Sequence, residues 1–243
     1  MKDEGLIGEW MKDEQCLKCM KKGPGACGAG WVAGRREFLY NNGRKNKTAD
    51  VRVTSDFRGE RQMIYCVHEN IIIRSMVEAD VDAIAAAERA QGWLGNLEEK
   101  SRTRLKDQAE GICHAMVAEV QGVPVGYINV YPDSRLGAFA GRGLPEIVDF
   151  GVLERCRRQG IGSALMDAAE QVASGYADRV YLGVGMHSGY GSAQRMYVKR
   201  GYVPDGSGVW YKDKICEPYS ECCNDDDLVL YLYKDLRTGT EEK

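Results

Sequence analysis

Between residues 146 and 163 an apolar run, Glu146-Ile147-Val148-Asp149-Phe150-Gly151-Val152-Leu153, leads into a basic turn punctuated by glycine, Arg157-Arg158-Gln159-Gly160-Ile161-Gly162-Ser163. Apolar residues then recur at Leu165, Met166, Ala169 and Val172. This reads as a strand, a tight turn and a helix that opens at Gly160. Such a turn aims several backbone N–H groups and the positive end of a helix dipole at one point, an anion site suited to a pyrophosphate. The glycines let phosphate oxygens approach the main chain, and Arg157 and Arg158 offer charge-assisted contacts. Two familiar phosphate loops are excluded by the letters. A Walker loop needs Gly-Lys-Ser/Thr at its end, and a dinucleotide fingerprint needs Gly or Ala where Leu165 stands. Gly28-Ala29-Gly30-Trp31-Val32-Ala33 does fit the dinucleotide pattern, but no apolar strand precedes it, so it reads as a flexible glycine tract.

The chain changes character near residue 63. Residues 1–62 hold glycine-rich and mixed-charge stretches such as Lys21-Lys22-Gly23-Pro24-Gly25, with no sustained period of 3.6 or 2. They read as a poorly ordered extension, with residues 63–243 as the folded domain and Met63 as a candidate natural start. From there the patterns predict a strand over 70–75, an amphipathic helix over 79–91 and a charged helix over 98–109. Alternating strands follow over 113–120 and 124–131, then a loop over 132–145 and the strand-turn-helix unit. A strand over 179–184, a helix over 191–200 and strands near 208–211 and 228–233 complete the order. The fold class is α/β in the α+β sense: a mixed, mostly antiparallel central sheet flanked by helices.

A second motif lies about thirty residues beyond the first, Ala193-Gln194-Arg195-Met196-Tyr197-Val198-Lys199-Arg200-Gly201-Tyr202. Arg157 to Gly162 resembles the R/Q-x-x-G-x-G/A motif of the GNAT acetyltransferase superfamily, and the second segment is similar to that family's A-x-x-h-Y-x-x-x-G-F/Y. The element order from residue 69 looks like the family's fold, so the resemblance covers about two thirds of the chain and leaves residues 1–62 out. It implies an acyl-CoA-dependent N-acetyltransferase that moves the acetyl group of acetyl-CoA onto an amine. Acetyl-CoA is then held by Arg157, Arg158, Gln159, Gly160, Ile161, Gly162 and Ser163, and a backbone N–H near Val152 faces the developing oxyanion. One departure stands out: many relatives carry an asparagine where this chain has Tyr190, which puts that contact to the pantetheine arm in doubt.

An alkyl amine with a pKa near ~10 must lose a proton before it can attack a thioester, so a general base is required. Glu146 is the first candidate, because it stands fourteen residues before Gly160, the offset at which histone-acetylating relatives carry a glutamate. Asp149 is the runner-up. Strand pleating puts 146 and 149 on opposite faces unless a bulge intervenes. Tyr197 is the candidate acid for the departing thiolate; without the family match a tyrosine on a helix reads as core packing. His187 offers a second base or simply a solvated side chain.

Composition limits the alternatives. Of 33 Lys and Arg against 36 Asp and Glu, residues 1–62 take 13 against 9, so the remainder holds 20 against 27 and is acidic. That balance argues against a nucleic-acid partner and suits a cationic small-molecule or peptide amine as acceptor. Glu217, Glu221 and Asp225-Asp226-Asp227, beside Trp210, Tyr211 and Tyr219, read as a solvated loop or as the mouth that receives such an amine. No apolar run is long enough to span a bilayer and the first residues are not a secretory segment, so a cytoplasmic protein with no membrane partner is expected. Nine scattered cysteines form no disulfide framework and suit a reducing compartment. Cys16 and Cys19, with Cys27 or with Cys66 and His68, could be half of a zinc knuckle, but the second pair lacks the usual spacing, so no metal is expected. A non-catalytic acyl-CoA-binding module is the alternative function, and the oligomeric state stays open between monomer and homodimer.

Overall fold

The two alternating runs form an antiparallel hairpin, with the pair closed by Gln121 and Gly122 at φ of 53° and 79°, the backbone that a two-residue hairpin loop demands. In the computed structural model, which describes residues 52–55, 61–93 and 95–237, this hairpin sits inside a larger sheet. The strands are β1 (Arg52–Ser55), β2 (Arg61–His68), β3 (Ile71–Ser75), β4 (His114–Val120), β5 (Val123–Tyr131), β6 (Glu146–Val152), β7 (Arg179–Gly185), β8 (Val203–Tyr211), β9 (Lys214–Ile215) and β10 (Leu228–Asp235). The helices are α1 (Glu78–Ala90), α2 (Leu97–Ala109), α3 (Ile161–Ser174) and α4 (Gly191–Lys199). Among the described residues the sheet order is β1-β2-β3-β4-β5-β6-β7-β10-β8-β9. Every pairing among them is antiparallel except β6 with β7.

The pleat sorts the side chains to two faces. On one, Leu165, Met166, Ala169 and Ala173 of α3 pack on Ile73, Met116, Ile128, Ile147 and Leu182. Burial of each large side chain there stabilises by about 1.5–3 kcal/mol, which is what holds α3 and its N-terminal turn in place. On the other face Ile84 of α1 and Leu105 of α2 close over Met76, Ala115, Val117, Tyr127 and Tyr131. A third cluster, Phe139, Tyr181 and Tyr231, lies under the loop that precedes β6. Among the described residues no helix is long and apolar enough to cross a membrane.

The mixed, mostly antiparallel sheet expected from the sequence is what forms. Several strands differ in detail. β8 starts at Val203 rather than near 208, because Pro204, Gly206 and Gly208 hide the alternation and the two glycines adopt φ of 86° and 90°. The expected boundary at residue 63 falls inside β2, which begins at Arg61, pairs with β1 and buries Tyr65. The rest of the expected extension, with Cys16, Cys19, Cys27 and the glycine tract at 28–33, lies outside the described residues.

Candidate active site

β6 and β7 pair over only two positions, Glu146 with Tyr181 and Ile147 with Leu182. Beyond them the strands separate and leave a gap along the second half of β6. The register to β5 also slips there: Asn129 faces Val148 and Tyr127 faces Gly151, so β6 holds one extra residue, with Asp149 at φ 52°. This is a β-bulge. Leu153 N–H donates to the Val125 carbonyl on the β5 side. Successive residues of a strand alternate, so the N–H and carbonyl of Val152 face the gap. Its carbonyl accepts Nε of Arg157 at 3.3 Å.

The turn into α3 borders the same gap. Gly160 is the N-cap at φ 82°, a left-handed conformation that suits glycine, and no side chain caps the helix. The first intrahelical bond there is Ala164 N–H to the Gly160 carbonyl, which leaves the N–H groups of Ile161, Gly162 and Ser163 pointing out of the helix end. A Cβ on Gly162 would lie 3.2 Å from Phe150 and 3.9 Å from Sδ of Met196, so the start of α3, the end of β6 and α4 converge on Phe150. Tyr197 is buried beside it, with ring centroids 6.4 Å apart, and burial pushes its phenol above the usual range. Gly162 and Tyr197 thus both pack toward Phe150, two residues before Val152 on β6. Arg158 and Gln159 lie exposed on the turn. Arg157 bends back instead, pairing with Glu154 at 3.4 Å as well as with the Val152 carbonyl.

Glu146 sits on the opposite face of the sheet. Its carboxylate is buried and accepts the hydroxyls of Ser134 and Tyr181. Burial pushes it up to about 7, with the two hydroxyls opposing that rise. The bulge brings Asp149 to this same face, the exception that pleating alone leaves open. There Asp149 is held by Lys100 at 2.8 Å and by Arg104 at 2.6 Å. Burial raises its pKa, but Lys100 and Arg104 outweigh this and hold it below the ordinary carboxylate range, so Asp149 stays ionised and is a weak proton acceptor. His187 has both ring nitrogens engaged, Nδ1 accepting Gly189 N–H at 3.1 Å and Nε2 donating to Asp226 at 2.9 Å. Tyr190, the residue that departs from the family pattern, donates to the same Asp226 at 2.9 Å. Among the described residues no cluster of His, Cys, Asp or Glu is arranged to hold a metal ion.

Sequence reasoning missed Ser134 and Tyr181, whose hydroxyls hold Glu146, and the burial of Glu88, which accepts the Tyr127 hydroxyl. A signal existed for Glu88, since Val81, Ile84, Ala85 and Glu88 share the helical spacing of a buried face. None existed for Ser134, which lies in an irregular loop.

A model of the acetyltransferase (GNAT) family matches residues 79–202, just over half of the chain. No curated protein sequence matches it. Among solved structures, Ard1 from Thermoplasma volcanium is 24% identical with a TM-score of 0.50, the match covering 68% of this chain and 97% of that one. The Salmonella typhimurium acetyltransferase that modifies the N-terminal serine of ribosomal protein L7/L12 is 12% identical with a TM-score of 0.54, covering 71% and 98%. A spermidine N-acetyltransferase SpeG chimera from Vibrio cholerae and hSSAT is 14% identical with a TM-score of 0.50, covering 69% and 96%. At these identities the structures speak for the fold, and the family model speaks for the chemistry. The chain belongs to the acetyltransferase (GNAT) family and is an acyl-CoA-dependent N-acetyltransferase with acetyl-CoA as its donor.

Proposed function

We propose that the protein transfers the acetyl group of acetyl-CoA to a primary amine of a cationic acceptor by direct attack, and that it does so in the cytoplasm. The observation that carries this reading is the gap between β6 and β7, with the Val152 backbone turned into it beside an uncapped helix end. The turn at 157–163 takes the pyrophosphate on the N–H groups of Ile161, Gly162 and Ser163. The thioester then reaches the gap, where Val152 N–H receives the negative charge that forms on its oxygen.

The amine enters from the α1 and α2 face. Its nitrogen bonds to the carbonyl carbon, the C–S bond breaks, the amine's proton passes toward Glu146, and Tyr197 gives a proton to the sulfur. Two features favour Glu146 over Asp149. Its pKa lies near working pH, where a general base is most effective, and among the described residues no cation forms an ion pair with it, Arg104 acting on it only from a distance. Because it is buried beneath Ser134 and Tyr181, the proton travels through an intervening hydroxyl or water. Tyr197 remains protonated throughout the working range because burial raises its pKa. The acidic balance of residues 63–243 favours a cationic acceptor, and the solved relatives that act on spermidine and on a protein N-terminus both take primary amines. The six cysteines among the described residues are free thiols, in keeping with a reducing compartment.

The test is release of CoA from acetyl-CoA in the presence of spermidine, a lysine-containing peptide and a peptide with N-terminal serine. Turnover with any of them supports the reading. Tight CoA binding without turnover on any amine would leave a non-catalytic acyl-CoA-binding module in its place.

A further inference from the structure

The loop of residues 132–145, between β5 and β6, is tied down at several points. The Ser134 carbonyl accepts Gly141 N–H at 3.2 Å, and Gly137 N–H donates at 2.7 Å to Oδ1 of Asp213, in the turn between β8 and β9. Phe139 packs on Tyr181, with ring centroids 4.9 Å apart. The Tyr181 hydroxyl donates to the Leu136 carbonyl at 3.1 Å and reaches Oε2 of Glu146 at 3.4 Å. Ser134 is buried in that frame. Its Oγ accepts Leu136 N–H at 3.3 Å, and its own hydrogen goes to the same Oε2 of Glu146. The carboxylate is therefore lopsided: Oε2 takes two hydroxyls, whereas Oε1 has no hydrogen-bond partner among the described residues. Nor is Oε1 sealed off. Oδ1 of Asn129 on β5 is both unpartnered and shut away from solvent, and Glu146 has no such atom.

A carboxylate that takes up a proton needs an oxygen with a lone pair open to the proton's approach. Two hydroxyls already turn hydrogens toward Oε2. A proton arriving there opposes both, while one arriving at Oε1 leaves both bonds in place. We infer that Ser134 is the positioning residue of the general base: by holding Oε2 of Glu146 it fixes Oε1 as the oxygen that takes the amine's proton. This rests on the reading of the protein as an amine acetyltransferase with Glu146 as its base, and adds the residue that prepares that base. A hydroxyl donating to a carboxylate also favours the ionised form, which is the form a base must have. The other groups around Glu146 do not serve in this way. Asp213 opposes ionisation, and Arg104 of α2 favours it from a distance but is bonded to Asp149. Tyr131, opposite Glu146 on β5, gives its hydroxyl to Asp107, and Tyr231 of β10 makes no hydrogen bond to Glu146. Tyr181 shares its hydrogen with the nearer Leu136 carbonyl. Ser134 gives its hydrogen to the carboxylate undivided.

The variants are S134A and S134T in the full chain, and the acceptors are spermidine, a lysine-containing peptide and a peptide with N-terminal serine, at saturating acetyl-CoA. The ratio of wild-type to variant kcat/KM is followed from pH 6 to pH 9, which cancels the titration of the amine itself. Burial pushes Glu146 up to about 7 against the pull of the two hydroxyls, so removing one takes it higher. S134A should be about tenfold slower at pH 6.5 and within about twofold of wild type at pH 9, a displacement of about one pH unit. The melting temperature gives a second readout that needs no acceptor. A carboxyl whose folded pKa is raised costs stability as pH climbs through that value, and in S134A the climb extends further. Its melting temperature should therefore trail wild type by about 3 °C more at pH 9 than at pH 5. S134T keeps the hydroxyl and shows neither pH-dependent change, and in an E146Q background S134A adds no pH-dependent deficit. Deficits in rate and melting temperature that are the same at every pH make Ser134 a packing residue and overturn the inference, while leaving the acetyltransferase reading intact. Absence of turnover on all three amines, with CoA still bound, removes that reading and the base with it. If S134A does not fold, S134C, whose thiol is a weaker donor of similar shape, decides by the same readouts.

Discussion

In the proposed site the donor side and the acceptor side are built from different materials. The donor side is main chain: three N–H groups at the start of α3, one at Val152, and a left-handed glycine that opens the helix. The proposed acceptor side is side chain: Lys100 and Arg104 from α2, and Glu146 and Asp149 from β6. Backbone donors bind any acyl-CoA in the same way and need only the right turn, so they tolerate changes of letter outside the glycines. Side chains carried on separate elements can be altered one residue at a time, which is how one fold serves many amines. Substitutions on the two sides should therefore fail differently, the donor side through conformation and charge, the acceptor side through protonation and KM.

The largest effect should come from Gly160→Asp. A Cβ there meets nothing within 4 Å, so space is not the obstacle. The obstacles are φ 82°, which strains any L side chain, and a carboxylate placed where the pyrophosphate is proposed to bind. CoA affinity should drop by about 100-fold or more, whereas Gly160→Ala, which keeps the strain and omits the charge, should lose about tenfold or less. Calorimetry on both folded variants separates the two causes, and unchanged affinity in the aspartate variant would remove the pyrophosphate from this turn.

Next in size is Glu146→Gln. General-base assistance is worth about 100-fold at the low end, so kcat/KM should fall by roughly that factor near pH 8 and by less below pH 7, where Glu146 of the wild type is itself protonated. Stability should move the other way. The folded pKa is raised, so folding favours the protonated carboxyl and stability is lost as pH climbs from about 4.5 to about 7. The neutral amide of the variant escapes that loss, so Glu146→Gln should melt higher than wild type at pH 8 and nearly level with it at pH 5. A variant that is slower but no more stable at pH 8 would mean that the carboxylate is comfortable when ionised and that burial does not tune it.

These two sites also differ in how much of them the sequence discloses. Arg157 to Gly162 carries its chemistry in a contiguous spacing, because backbone donors need only a turn type, and turn types are written in glycines. Glu146 is legible through its offset from that turn. The bulge at Asp149 is not, since an extra residue in a strand leaves the apolar pattern of Ile147, Val148 and Phe150 looking unbroken. Asn129 is hidden for a related reason: in the run Tyr127-Ile128-Asn129-Val130-Tyr131 it occupies a face that reads as half-polar and solvated until α1 and α2 are laid over it.

Tyr197→Phe should lower kcat by about tenfold and leave CoA affinity within about twofold, because in the proposed mechanism the hydroxyl acts on the leaving sulfur and adds little to ground-state binding. The ring itself packs on Phe150 and Tyr202 and is retained by the substitution. If kcat is unchanged at neutral pH, another donor protonates the thiolate. A chain that starts at Met63 should keep its CoA affinity and turn over within about twofold, since every site residue lies beyond that point. Its melting temperature should fall by a few degrees as β1 and the first residues of β2 are lost, a change of about 1 kcal/mol. Loss of most activity in that shortened chain would make residues 1–62 a working part of the enzyme.

The smallest effect is expected at Arg158, and it is the sharpest check on whether the donor side is truly built from main chain. The residue is exposed and holds φ 65°, a conformation that costs a non-glycine residue about 1 kcal/mol. Arg158→Gly relieves that strain, partly offset by the greater freedom glycine has when unfolded, so stability should be unchanged or slightly higher. One exposed charge lost from a phosphate contact is worth about 0–1 kcal/mol, so CoA affinity should weaken less than about fivefold, and less still in high salt. Calorimetry at two ionic strengths measures this directly. A loss beyond about tenfold that persists in high salt would show that the guanidinium, rather than the helix end, carries the pyrophosphate, and the contrast between a backbone-built donor side and a side-chain-built acceptor side would no longer hold.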